Sequence, residues 1–463
     1  MVRSKDTQKE INMTEGPFLK KIILFLIPLV LTGLLQTLYN AADLVVVGRF
    51  RGELALAAVG CTGALTNLIV GLFMGLSVGA GVLVAHAIGA NDHERVEKVV
   101  HNSVLLSVVL GVIVAVVGFI FAPQLLVLMD TPDTVLASAT LYLRIILCGV
   151  PASMLYNYCA SMVRSMGDTK HPLIFLTISG VVNVVLNFFF VAAFGMGVEG
   201  VAIATIVSQY LSAIMILVFM MRSDTCIRFT PKKLGLDAKI VKKILYIGIP
   251  SGIQGCLFSF SNVLIQSSIN SFGDIVMAGN AAGSNIEGFV YIAMNSVYHA
   301  ALTFVGQNMG AKKYHNIKKI TLLCAICVTV IGLVMAGFFF LFREFFVGLY
   351  VSAEGALREA VMDAAFRRMN FIMLLYFLCG IMEVLCGTMR GMGKSITAMV
   401  ISLLGACAFR ILWLETVFKI FPQIECVYIS YAISWILTII AYIVCLIVYY
   451  RRLVRPTTEA RTI

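Results

Sequence analysis

Twelve stretches of this chain are apolar for long enough to cross a bilayer, and that leaves few folds open. They fall near residues 22–48, 54–88, 99–129, 145–163, 172–198, 200–221, 244–273, 275–309, 320–342, 369–389, 395–418 and 427–450. A spanning helix needs about 20 apolar residues. Runs of this length exclude a β-barrel, whose spanning segments are short and alternate in hydropathy. Helices and closed barrels are the only choices, because lipid offers no partner to an unpaired backbone group. The sequence therefore predicts an all-α polytopic membrane protein. Composition agrees: 60% of the 463 residues are hydrophobic and 13% charged, far from a soluble globular chain.

The net charge of +11 is no sign of a nucleic-acid partner, since the basic residues lie in short clusters between apolar runs. Of the 35 Lys and Arg, 26 fall in one set of alternate loops and five in the other. The remaining four, Arg144, Arg367, Arg368 and Arg410, lie at helix ends or within spans. By the positive-inside rule both termini are cytoplasmic. The N-terminal "MVRSKDTQKEINMTEG" lacks the layout of a cleavable signal, because the apolar run after it is too long, so the first span is expected to be retained.

The chain also repeats itself. "ILFLIP" at 23–28 recurs as "LYIGIP" at 245–250, "VAHAIGANDHERVEK" at 84–98 as "VGQNMGAKKYHNIKK" at 305–319, and "VRSMGDT" at 163–169 as "MRGMGKS" at 389–395. Three matches in one order indicate a duplication. We therefore divide the chain into a six-helix bundle at 1–221, a cytoplasmic linker at 222–243 and a second six-helix bundle at 244–463. Six is even, so both halves enter the membrane in the same direction, as pseudo-two-fold relatives about the membrane normal with a cleft near mid-membrane. Leu234, Leu236, Ile240 and Ile244 would suit a helix lying on the inner surface. Gly89-Ala90 and Gly310-Ala311 read as helix ends, as do Gly167 and Gly393, with neighbouring Lys and Arg at headgroup level. Pro28 and Pro250 fall inside spans, where each removes a backbone hydrogen bond and makes a candidate hinge.

Enzyme motifs do not survive their context. "GLSVG" at 75–79 contains G-x-S-x-G but sits mid-span, where small residues let helices approach. "GTMRGMGKS" has its first glycine one residue too far away for a P-loop, and no strand precedes it. Cys324 and Cys327 lie in "LLCAICVTV" with no second ligand pair, so packing explains them. We expect neither catalysis nor a cofactor nor a resident metal.

Charges inside the spans are more informative, because each is expensive there. Gln36, Tyr39, Asn40 and Asp43 are spaced i, i+3, i+4, i+7 and so share one face of the first span. At about 1.5 Å per residue, Asp43 stands roughly 22 Å beyond Pro28, in the outer half of the bilayer. In the second half Ile265 occupies the place equivalent to Asp43, and the buried charges are Glu287, Glu383 and Arg410. Glu383 and Arg410 are expected to neutralise each other as a structural pair. Glu287 is followed by Tyr291 and Asn295 at i+4 and i+8, a polar and aromatic stripe fit to meet a cationic substrate. Thirty Phe and 22 Met would suit an adaptable apolar pocket.

The two halves, Pro28 followed by the Gln36/Tyr39/Asn40/Asp43 face, the "GA…RVEK" loop and the "RSMGDT" loop together resemble the multidrug and toxic compound extrusion (MATE) family, over essentially the whole chain. The likeness is greatest to the prokaryotic branch with its cation site in the N-terminal half. It implies an inner-membrane antiporter that expels organic cations in exchange for H+ or Na+. It also implies that Asp43 belongs to a cation site with Asn183 and Asn187 on the fifth span and Thr205 on the sixth. Two amides, a hydroxyl and a carboxylate are a hard oxygen set suited to a proton or an alkali cation. Some relatives carry a second acid where this chain has Asn187, so the site here has one carboxylate. Expected partners are the bilayer and small cationic substrates, with no nucleic acid and the chain acting as a monomer. The alternative is a lipid-linked oligosaccharide flippase of the same superfamily. Fourteen spans and a cavity rich in cationic residues would mark one, whereas this chain has twelve spans and, by sequence, few buried arginines.

Overall fold

The computed structural model describes residues 12–351 and 354–459; the outermost residues of both termini, assigned above to the cytoplasm, lie outside this range. The described residues are helical, with no strand among them. Twelve helices are long and apolar enough to span: α1 Phe18–Phe50, α2 Ala57–Gly89, α3 His93–Leu128, α4 Asp133–Ser165, α5 Lys170–Ala193, α6 Val198–Arg222, α7 Ala238–Asn270, α8 Asp274–Gly310, α9 Tyr314–Leu341, α10 Gly355–Gly391, α11 Ser395–Ile420 and α12 Ile424–Leu453. Between α1 and α2 the chain turns at Gly52, whose φ of 78° is costly for any residue with a Cβ. α5 ends in a π-helical turn over Phe188–Ala193 and α11 contains one over Leu403–Ala408.

Several sequence expectations change. α4 and α10 begin a dozen or so residues earlier than hydropathy suggests, because their first turns are helical but polar. No separate surface helix forms in the linker. A single 3-10 turn occupies Pro231–Lys233, Leu234 and Leu236 are exposed, and helix starts only at Ala238, continuous with the seventh span. The linker is tied to α3 instead: Thr230 N donates to His101 Nε2 at 3.0 Å, Asp237 N to Asn102 Oδ1 at 2.5 Å, and Lys233 pairs with Glu97 at 2.5 Å. The helix ends after the second and eighth spans are made by Asn91 and Lys312, the residues with positive φ. Gly89 and Gly310 serve close approach: a Cβ would lie 1.9 Å from Gln307 O at the first and 1.9 Å from His86 O at the second. Gly167 and Gly393, with φ of 97° and 78°, do terminate helices.

Two compact units emerge. The first comprises the chain up to Thr62 with Ala80–Val241 and Gln307–Lys313. Within it the end of the eighth span meets the end of the fourth, where Gln307 Nε2 donates to Ser165 O at 2.8 Å. The second comprises Gly63–Gly79, Lys242–Gly306 and Tyr314–Ile463. Within it the G-x-S-x-G of α2 is a helix-packing surface, since a Cβ on Gly75 would lie 2.3 Å from Gly252 N and one on Gly79 2.1 Å from Ile244 O. Ser77 is buried and donates to Met74 O at 2.8 Å.

Candidate functional site

In the first unit the polar face of α1 meets α5. Asp43 Oδ1 accepts a hydrogen bond from Asn187 Nδ2. Asn187 Nδ2 also reaches Asn183 Oδ1 at 3.3 Å, and Asn183 Nδ2 reaches Thr205 Oγ1 on α6 at 3.5 Å. The structure thus brings all four expected cation-site residues into one chain of contacts. Asn183 and Asn187 are 5% and 0% exposed, and Asn187 Oδ1 is buried with no hydrogen-bond partner. A buried acceptor without a donor is costly, and it fits a bound proton or alkali cation. Tyr39, on the same face, donates to Thr177 O at 3.2 Å. Gly180 makes room for it: a Cβ there would lie 1.9 Å from the Tyr39 ring. Gln36 and Asn40 are exposed. Tyr142 on α4, which sequence reasoning missed, stands within electrostatic reach of Asp43. Pro28 and Pro250 lie inside α1 and α7 as expected.

The second unit holds a partly open cavity of about 580 Å³, within the range of small-molecule sites. Glu287, Tyr291 and Asn295 of α8 share its wall with Glu383 of α10 and Arg410 of α11. The place equivalent to Asp43, Ile265, lies on the same wall and is 1% exposed. Two expectations fail. Glu287 is not a free acid: Arg368 of α10 donates from Nε to Oε1 at 3.0 Å and from Nη2 to Oε2 at 2.7 Å, and both side chains are buried. Glu383 and Arg410 are not a pair. Arg410 Nε donates to Ser434 Oγ at 2.8 Å and its guanidinium lies 4.2 Å from the Tyr431 ring centre, whereas no ion pair reaches Glu383 among the described residues. Arg390, expected at headgroup level, is buried on the cavity wall and donates to Tyr298 Oη at 2.6 Å and Gln254 Oε1 at 2.7 Å.

The cavity is also more polar than the Met and Phe content suggests, with Phe258 and Met382 the lone contributions of those two types. Buried arginines are not few: Arg368, Arg390 and Arg410 are 5%, 6% and 4% exposed. Arg410 was legible in the sequence as a buried charge because it falls within an apolar run, whereas Arg368 and Arg390 were not, since each falls at the edge of one, where a basic side chain ordinarily reaches the headgroups.

Twelve spanning helices with polar clusters in both units define a polytopic membrane transporter. The MatE family model matches residues 28–189 and again 250–414, so both matches begin on the prolines of α1 and α7. YoeA of Bacillus subtilis, described as a probable multidrug resistance protein, is 27% identical over 391 residues, 83% of either chain. NorM of Thermotoga maritima, described in the same words, is 26% identical over 408 residues, covering 85% of this chain and 84% of that one. A solved outward-facing multidrug resistance MATE family transporter shares the fold with a TM-score of 0.89 at 22% identity, covering 97% of this chain and 100% of that chain. The chain belongs to the MatE family of multidrug efflux transporters.

Proposed function

We propose that the chain is a secondary antiporter of the cytoplasmic (inner) membrane that exports organic, mostly cationic compounds in exchange for H+ or Na+ by alternating access. The observation that carries this reading is the Asp43–Asn187–Asn183–Thr205 chain, a lone carboxylate in a span backed by a buried amide oxygen without a donor. Ionised Asp43 accepts from the Asn187 amide. Once protonated, it must donate, and rotation of the amide would present Asn187 Oδ1 to it; the same oxygen could instead meet Na+. Loading and release of the ion would therefore change which groups hold α1 against α5, with Pro28 as the bend and Pro250 as its counterpart on α7. No cofactor is needed for such a cycle. Cationic cargo would meet Glu383 and the aromatic walls of the second unit, because Glu287 is committed to Arg368. We further read residues 1–221 and 244–463 as two six-helix domains joined by the 222–243 linker, with both termini cytoplasmic and the chain working as a monomer.

The test is uptake of a fluorescent organic cation into proteoliposomes after an imposed pH or sodium jump. One of the two gradients should drive transport in the native protein, and Asp43→Asn should abolish it while the variant still inserts and melts cooperatively. Full gradient-driven transport by Asp43→Asn would remove this residue from coupling.

A further inference from the structure

Five charged side chains line the cavity of the second unit: Glu287, Glu383, Arg368, Arg390 and Arg410. Their hydrogen bonds sort them into satisfied and unsatisfied groups. Arg368 has each of its three nitrogens engaged, by both oxygens of Glu287 and by Asn280 Oδ1 at 2.6 Å. Arg390 spends both terminal nitrogens on Tyr298 and Gln254, and its Nε is buried without an acceptor. Arg410 keeps only Nε engaged, with Ser434; its two terminal nitrogens have no protein acceptor among the described residues. A buried guanidinium with its fork unfilled is costly. A carboxylate fills such a fork with two parallel charge-assisted hydrogen bonds. On the same cavity Glu383, part-buried, takes neither a hydrogen bond nor an ion pair from the protein. The two charges are thus available separately, with Tyr291, Tyr376 and Trp435 offering flat faces on the same wall.

We infer that this cavity reads an acidic group on its cargo through Arg410 as well as a cationic one through Glu383, so that it prefers zwitterionic aromatic amphiphiles to monocations of the same skeleton. This rests on the export reading above, whose cargo it narrows. Arg410 is held in place by Ser434 and Tyr431, which aims its unfilled edge rather than leaving it free to find an acid of its own.

Rhodamine B and its ethyl ester form a matched pair: both carry the xanthylium cation, and the free acid alone carries a carboxylate. Equilibrium anisotropy titrations of the two dyes against the purified full-length protein in detergent should show the acid binding roughly tenfold more tightly. Arg410→Gln should erase that preference by weakening the acid while ester binding holds or tightens, because the ester loses a like-charged neighbour, and retained ester binding also shows that the cavity has kept its shape. Arg410→Lys keeps the charge and loses the fork, so it should retain part of the preference. Glu383→Gln should weaken both dyes alike. Equal or weaker binding of the acid by the native protein would overturn the inference, as would a parallel loss of both dyes in Arg410→Gln that Arg410→Lys fails to rescue. Binding of neither dye would overturn it too. The ratio is read without an ion gradient, so a failure of ion coupling leaves it intact, and loss of the ratio leaves coupling intact.

Discussion

Arg367 and Arg368 are neighbours in sequence with opposite fates. Arg367 reaches Asp363 at 3.5 Å and Glu425 at 3.4 Å with all three partners partly exposed, while Arg368 turns inward onto Glu287. One residue is about 100° of helix, enough to carry a side chain from solvent to cavity. This is why Glu287 was legible in the sequence as a costly buried acid, while its partner was not: a charge in an apolar run announces itself, but two arginines at a helix start read as headgroup anchors. Asp43 was legible for the same reason as Glu287, and its amide partners by their place in the family. The pair also sets a stability expectation. Glu287→Gln leaves a buried guanidinium without its counter-charge and should lower stability by about 3–5 kcal/mol, whereas replacing both partners together by Leu and Met should be near neutral. Thermal unfolding of the two variants in detergent separates these outcomes. A mild single variant would mean that water reaches Arg368.

Helices were easier to read than their ends. Apolar length alone located every span, but the polar first turns of α4 and α10 carry no hydropathy signal, and the apolar set Leu234, Leu236, Ile240 and Ile244 suggested a separate surface helix that does not form. Helix contacts were legible where small residues cluster, as in the G-x-S-x-G of α2, and not at isolated glycines. Gly180 is such a glycine, since a methyl group there would overlap the Tyr39 ring and push α1 away from α5. Gly180→Ala should therefore cost about 1–3 kcal/mol and weaken ion-driven transport without touching Asp43. Transport at the native rate with an unchanged melt would mean that Tyr39 simply swings aside. The π-helical turns deserve the same test of use. One follows Asn187 directly on α5 and the other ends two residues before Arg410 on α11, and such turns often mark functional positions.

For the molecule as a whole, the short polar segment just before α1 is a structural tie. Met13 is 0% exposed, its carbonyl accepts from Asn308 Nδ2 at 2.8 Å, and Glu15 pairs with Lys313 at 2.5 Å. The hydrogen bond from Lys313, and its charge, hold the Glu15 carboxyl below its ordinary value of 4.5. A lowered acid stabilises the fold above its unfolded pKa and loses that contribution as pH falls through the folded one. Glu15→Gln should therefore melt slightly earlier than the native protein at neutral pH, less so in high salt, and with no difference at pH well below 4. A difference that persists in acid would point to packing instead of charge.

Completing the first unit requires Gln307–Lys313, and Gln307 reaches back 142 residues to Ser165. At about 5–20 residues per second, the ribosome spends roughly 7–28 s between making the two. By the end of that interval α1–α6 are all in the bilayer, with the face around Gly89 still unclosed. The nascent chain should then be open to membrane proteases and dependent on insertion chaperones, and a stop codon anywhere before residue 313 should yield fragments that are cleared rather than half-transporters that accumulate.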